Sequence, residues 1–151
     1  MDSPQIRIEI QAIWERLDVP VVRLEKSPGP GCDPEAMKDV FSGKRFDEVN
    51  TNFEAFNGAT PLLYFTNEAK IYYLGTYLLH ALRSADQYLH GQRWIFLDIP
   101  EVHALNTLRD VLMLNSCMLP FTKAEIDYLW ALLEYFEGLD NFDNGLVLEH
   151  S

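Results

Sequence analysis

The sequence has few cysteines, no long apolar run and no recognisable secretion signal. Cys32 and Cys117 do not form a CxxC pair, so both are predicted to be reduced thiols, with Cys117 buried. No stretch approaches the roughly 18 uncharged apolar residues that a membrane-spanning helix needs. The first residues, "MDSPQIRIEIQ", lack a basic segment followed by an apolar run. Their composition favours a cytoplasmic location.

The short motifs of common enzyme sites are also missing. The sequence contains no GxxxxGK[ST], GxSxG or HExxH, and "SGKR" at 42–45 lacks the upstream glycine of a phosphate loop. The spacing of the histidines is not that of metal ligands. These histidines are His80, His90, His103 and His150. No catalytic, cofactor-binding or metal site is therefore predicted.

Positive charge is scarce, above all in the C-terminal third. The 151 residues carry 12 bases and 23 acids, a net charge of −11. Residues 98–151 hold 10 of the acids but only Arg109 and Lys123 as bases, which leaves this part with a net charge of −8. Such a field repels phosphate backbones and attracts basic proteins. A basic protein partner is expected and direct nucleic-acid binding is not, although acidity that only maintains solubility is an equally open alternative.

Helical periodicity and capping residues dominate the sequence. A first helix is predicted over 3–17 with Ser3 as N-cap, and a short one from Asp33 to about Ser42, closed by Gly43. Asp98 and Glu101 have the spacing of a capping box, as do Thr122 and Glu125 at the start of the last helix. Gly138 is predicted to end that helix. Only 19–24 and 93–99 look like strands.

The predicted fold class is therefore all-α or mainly α. We expect a compact bundle of about five to six helices around a central tyrosine-rich helix, with at most a minor β element. Residues 1–138 would form one helical domain and 139–151 an acidic C-terminal tail. The final "LEHS" of that tail resembles a vector-derived junction.

The tyrosine-rich helix lies within "PLLYFTNEAKIYYLGTYLLHAL", residues 61–82. Its apolar residues cover most of the helix circumference, which is typical of a central helix. Gly75 is predicted to let a neighbouring element pack closely. The clustered tyrosines favour core packing, and a ligand pocket or enzyme site that includes His80 is the alternative. These tyrosines are Tyr64, Tyr72, Tyr73 and Tyr77.

The same stretch resembles the signature of a widespread family of small uncharacterised bacterial proteins, an F-x-x-E-A-x-x-Y-Y-L-x-x-Y-L-L block. The matching residues are Phe65, Glu68, Ala69, Tyr72, Tyr73, Leu74, Tyr77, Leu78 and Leu79. Lys70 and Gly75 depart from the block, where the family has an aromatic residue and a proline. The resemblance covers roughly residues 5–137 and implies a small helical domain without an established activity. Some such bacterial proteins are immunity proteins encoded beside toxin genes.

Acidic residues in and after the last helix are the predicted partner-binding site. With the helix ending at Gly138, Glu134 and Glu137 would lie near its C-terminus, where the helix dipole disfavours anions and no local base offsets them. Nearby aromatic residues could anchor a partner inside the acidic rim. The predicted contact residues are Glu125, Asp127, Glu134, Glu137, Asp140 and Asp143.

The leading hypothesis is an immunity protein or antitoxin that neutralises a basic, nuclease-type toxin by occlusion. One alternative is a nucleic-acid mimic, such as an anti-restriction or anti-CRISPR protein, which requires carboxylates spaced like phosphates. A second alternative is an enzyme or small-ligand protein, which requires an open cavity at Tyr72, Tyr73 and His80.

Overall fold

The computed structural model describes residues 1–27, 30, 33–50 and 61–150, with backbone only for 140–150. Its helices are α1 (Ser3–Glu15), α2 (Pro34–Phe41), α3 (Asn67–Leu89), α4 (Ile99–Leu112) and α5 (Lys123–His150). Within the described residues, 3₁₀ turns cover Pro61–Tyr64 and Ser116–Met118. The predicted helical fold class is confirmed. No helix in the described part of the chain is both long and apolar enough to cross a bilayer.

Helix α3 is the centre of the bundle, as its all-round apolar surface predicts. It packs against α1 and α4, and α4 in turn packs against α5. Nearly every α3 residue from Ala69 to Ala85 is buried. Trp14 from α1 and Phe136 from α5 are among the largest fully buried side chains. The fold therefore has the apolar helix α3 at its centre, with α1 and α4 packed directly on it and α5 packed on α4.

Most of the predicted helix caps are confirmed. The Asp33 side chain accepts a hydrogen bond from the Glu35 amide, and Gly43 follows α2 with a φ of 73°. The Thr122 amide donates to the Glu125 carboxylate at 2.8 Å, and the Glu125 amide donates to the Thr122 hydroxyl at 3.1 Å. The N-cap of α1 is Asp2 rather than Ser3. These contacts join residues close in sequence, which is why the sequence predicts them.

The strand-like segments are not strands. Residues 19–24 contribute only an isolated bridge between Leu24 and Phe65, and residues 93–98 form the irregular connection between α3 and α4. No strand is assigned among the described residues, so the β-prone sequence of 93–98 has no sheet to join.

Two further predictions are wrong. Gly138 does not end the last helix, because α5 continues to His150 and Gly138 is not among the described glycines with positive φ. Cys117 is exposed rather than buried, since α4 stops at Leu112 and Cys117 lies in the 3₁₀ turn capped by Asn115. Cys32 lies outside the described residues.

Candidate functional site

Tyr73 connects the central helix α3 to residues 41–44, where α2 ends. Its hydroxyl lies 2.7 Å from the Phe41 carbonyl oxygen and 2.9 Å from that of Lys44. The side chain is fully buried, and this burial raises the pKa of Tyr73 to about 12. The hydroxyl is thus a protonated donor that holds the backbone of residues 41–44, and it is not suited to act as a general base.

Tyr72 holds the same segment from its other side. Its hydroxyl accepts a hydrogen bond from the Phe46 amide at 3.2 Å, and the Thr76 hydroxyl donates to the Phe46 carbonyl oxygen at 2.6 Å. Burial raises the pKa of Tyr72, while the Phe46 amide and the Arg45 charge oppose the shift. The hydroxyls of Tyr72 and Tyr73 therefore stabilise the contact between α3 and residues 41–46, in a packed core around Tyr73.

Replacing Tyr73 with Phe is expected to lower the free energy of unfolding by about 1–3 kcal/mol, because the buried Phe41 carbonyl oxygen and the part-buried Lys44 carbonyl oxygen lose the hydroxyl proton that they share. Urea unfolding measures the change. The matched control is Tyr128→Phe, since the Tyr128 hydroxyl makes no hydrogen bond with another described residue. That control should stay within about 0.5 kcal/mol of the wild type. Equal losses of unfolding free energy in the two variants would contradict a stabilising role for the Tyr73 hydroxyl.

His80 belongs to an ionic cluster around the buried Glu101. The Glu101 side chain is only 1% exposed, and Arg93 Nη1 donates to its Oε1 at 2.6 Å. His80 Nε2 lies 3.6 Å from the same oxygen. Burial raises the pKa of Glu101, but hydrogen bonds from His80, Arg93 and Ser84 outweigh burial and lower it to about 2. The cluster ties α3, the α3–α4 connection and α4 together.

The capping box predicted at the start of α4 is therefore only half present. Asp98 caps the helix by accepting from the Ile99 amide at 2.8 Å, whereas Glu101 points into the core. Arg93, which pairs with Glu101, lies eight residues upstream in a segment whose sequence favours a strand. The sequence gives no local signal for this pairing.

Three of the predicted contact residues form ion pairs within the protein, and two of these, Glu125 and Glu137, pair with bases outside α5. Glu125 accepts hydrogen bonds from Nε and Nη2 of Arg16, the C-cap residue of α1, in addition to its role in the capping box. Burial opposes ionisation of Glu125, but the hydrogen bonds from Thr122 and Arg16 lower its pKa. Glu137 forms an ion pair with Arg109 of α4. Because α5 continues past Gly138, Glu137 also lies away from the unfavourable helix end.

The predicted residues Asp127 and Glu134 share the outward face of α5 with Trp130. Their spacing of i, i+3 and i+7 places all three on one side of the helix. The Asp127 side chain is 65% exposed and Trp130 is 37% exposed. Lys123 approaches Asp127 to 3.4 Å, whereas Glu134 makes no ion pair with another described residue. We call these three residues the α5 face; the side chains of Asp140 and Asp143 lie outside the described part.

Exposed apolar side chains are concentrated between residues 89 and 102. Trp94 is 88% exposed in the α3–α4 connection. The other large exposed apolar residues of this region are Leu89, Ile95, Ile99 and Val102. The strand-like pattern of 93–99 gave no indication that these side chains would face solvent.

A surface cavity of about 490 Å³ lies between the C-terminal end of α1 and the N-terminal end of α3. Its walls include Leu17, Asp18, Glu68, Ile71, Tyr72 and Met118. A smaller cavity of about 220 Å³ lies next to it and also contacts Tyr72. Tyr72 is therefore the one member of the tyrosine pair at positions 72 and 73 that borders open space. Within the described residues, no three His, Cys, Asp or Glu side chains form a group that could hold a metal ion.

No family model, curated protein or solved structure matches this chain. The resemblance to small bacterial proteins therefore stays a prediction. The α5 face and the cavity between α1 and α3 are the two candidate sites.

Proposed function

We propose that the protein is an acidic protein-binding module whose α5 face covers a basic partner. The observation that carries the proposal is the placement of Trp130 between two exposed carboxylates on one helix face. An exposed tryptophan supplies a large contact area and attracts cations over its ring, while flanking carboxylates attract and orient basic side chains. The finer form of the proposal is an immunity protein or antitoxin that blocks a basic nuclease-type toxin by occlusion.

The internal ion pairs determine which acidic side chains of the C-terminal part stay available to a partner. Arg16 neutralises Glu125 and Arg93 neutralises Glu101, so bases from the N-terminal part offset acids of the C-terminal part away from the α5 face. Among the described residues, Glu134 has no basic partner, and Asp127 has an ion pair only with the solvent-exposed Lys123. An exposed pair of this kind contributes little, so a basic partner could displace Lys123 at small cost.

The two alternatives have weaker support. A nucleic-acid mimic needs a dense row of carboxylates, whereas Asp127 and Glu134 are two helical turns apart with Trp130 between them. An enzyme or small-ligand protein built on the tyrosines needs an open cavity at Tyr72, Tyr73 and His80. The cavity between α1 and α3 is lined by Tyr72 but not by the other two residues. Tyr73 is buried and occupied by backbone carbonyls, and His80 contacts Glu101 instead.

Removing the two charges of the α5 face should weaken partner binding by about tenfold or more, as expected for residues at the centre of an interface. The variant is Asp127→Asn with Glu134→Gln. The matched control is Glu25→Gln with Asp39→Asn, which removes two exposed charges elsewhere. Affinity capture from the source organism at low and high salt, with identification by mass spectrometry, supplies the partner. Titration calorimetry then compares the two variants.

The expected partner is rich in Lys and Arg, is retained at low salt and loses its own activity when bound. If capture at low salt retains no basic protein, the proposed function fails. Equal weakening by the α5 variant and the control would also count against it, because a loss shared by both reflects only the reduced net charge.

A further inference from the structure

The cavity between α1 and α3 has walls suited to an aliphatic chain. Of its apolar lining residues, Ile71 and Tyr72 are buried, Leu17 is half-buried and Met118 is exposed. Its volume of about 490 Å³ falls within the usual range for ligand sites. Tyr72 lines the cavity, and its hydroxyl accepts a hydrogen bond from the Phe46 amide.

The free charges on the cavity wall are negative. Asp18 and Glu68 are exposed and form no ion pair with another described residue. Arg16 also lines the cavity, but its guanidinium is held by Glu125. The positive N-terminal end of α3 is offset by Glu68 in its first turn. The net charge of −11 adds to a field that attracts cations and repels anions.

We infer that this cavity binds an arginine side chain of the basic partner, as a second anchor apart from the α5 face. The aliphatic part of the arginine would lie against Leu17 and Ile71, while its guanidinium would reach Asp18 and Glu68. Arginine suits this arrangement better than lysine, because its planar head has five donors that can serve two carboxylates and can stack on a ring. The inference rests on the proposed function for the identity of the partner.

The test uses N-acetyl-arginine amide as the probe and the intact protein labelled with ¹⁵N. Titration should produce saturable amide shifts centred on Leu17, Asp18 and Ile71. N-acetyl-citrulline amide, which has nearly the same shape but no charge, should produce no comparable shifts. The variant Asp18→Asn with Glu68→Gln should weaken arginine-amide binding by about tenfold, since each lost contact is a charge-assisted hydrogen bond. The Glu25→Gln, Asp39→Asn protein is the control and should bind as the wild type does.

Three results would overturn the inference: no saturable shifts at the cavity, equal shifts with the citrulline probe, or unchanged affinity in the Asp18, Glu68 variant. The probe comparison uses wild-type protein, so it decides the matter even if the variant folds poorly.

The two proposals fail separately. A captured partner that is weakened by the α5 variant but not by the cavity variant overturns the second anchor and leaves the proposed function standing. The absence of any basic partner removes the proposed function, while the arginine-amide titration still shows whether the cavity binds the guanidinium group.

Discussion

Replacing Glu101 with Gln is expected to lower the free energy of unfolding at neutral pH by about 3–5 kcal/mol, the usual cost of removing one partner from a buried ion pair. Glutamine has a similar shape but no charge, so Arg93 would lie beside the new side chain without a carboxylate counter-ion. Urea unfolding followed by circular dichroism measures the loss. Glu134→Gln is the matched control, because that carboxylate is exposed and unpaired among the described residues, and it should change stability by less than about 0.5 kcal/mol.

The pH dependence of the Glu101→Gln effect provides a second readout. The pKa of Glu101 is lowered from 4.5 to about 2 in the folded protein. Its stabilising contribution is therefore complete above pH 4.5 and is lost as the pH falls towards 2. At roughly 1.4 kcal/mol per pKa unit, this loss is about 3 kcal/mol. The stability gap between wild type and variant should narrow by that amount over this range. A gap that stays constant with pH would show that the charge of Glu101 is not what stabilises the fold.

Replacing Gly75 with Ala is expected to destabilise the protein by about 1–3 kcal/mol, although alanine is the better helix former. An added Cβ would lie 2.7 Å from Trp14 Cδ1 and 2.8 Å from Cγ, well inside normal contact. Trp14 is fully buried, and its Nε1 donates to the Ile71 carbonyl oxygen at 3.0 Å. Moving the ring would weaken that hydrogen bond and disturb the packing of α1 on α3. The prediction that Gly75 permits a close neighbour is thus confirmed.

Gly138 provides the control for Gly75, because both glycines lie inside helices. A Cβ at Gly138 would meet nothing within 4 Å. Gly138→Ala is therefore expected to stabilise the protein by up to about 1 kcal/mol, from helix propensity alone. Thermal and urea unfolding should show shifts of opposite sign for the two variants. If both Gly75→Ala and Gly138→Ala stabilise the protein, the Trp14 ring can move at little cost. The contact between α1 and α3 is then not tight.

The candidate site was only partly predictable. The sequence identified the acidic C-terminal part, but it could not tell Asp127 and Glu134 from Glu125 and Glu137. The difference depends on Arg16, 109 residues before Glu125, and on Arg109 of α4. Which carboxylates remain free for a partner is decided by the way α1 and α4 pack on α5.

The sequence by itself determined the helical class, the central position of α3 and the capping of α2 and α5. Those features arise from contacts within about one turn and from apolar periodicity, and both are visible in any short window. Only the tertiary structure decided that Glu101 is a buried ion, that Trp94 faces solvent and that a cavity opens beside Tyr72. Each of these depends on where helices cross and which distant residues meet there, and no local pattern encodes that geometry.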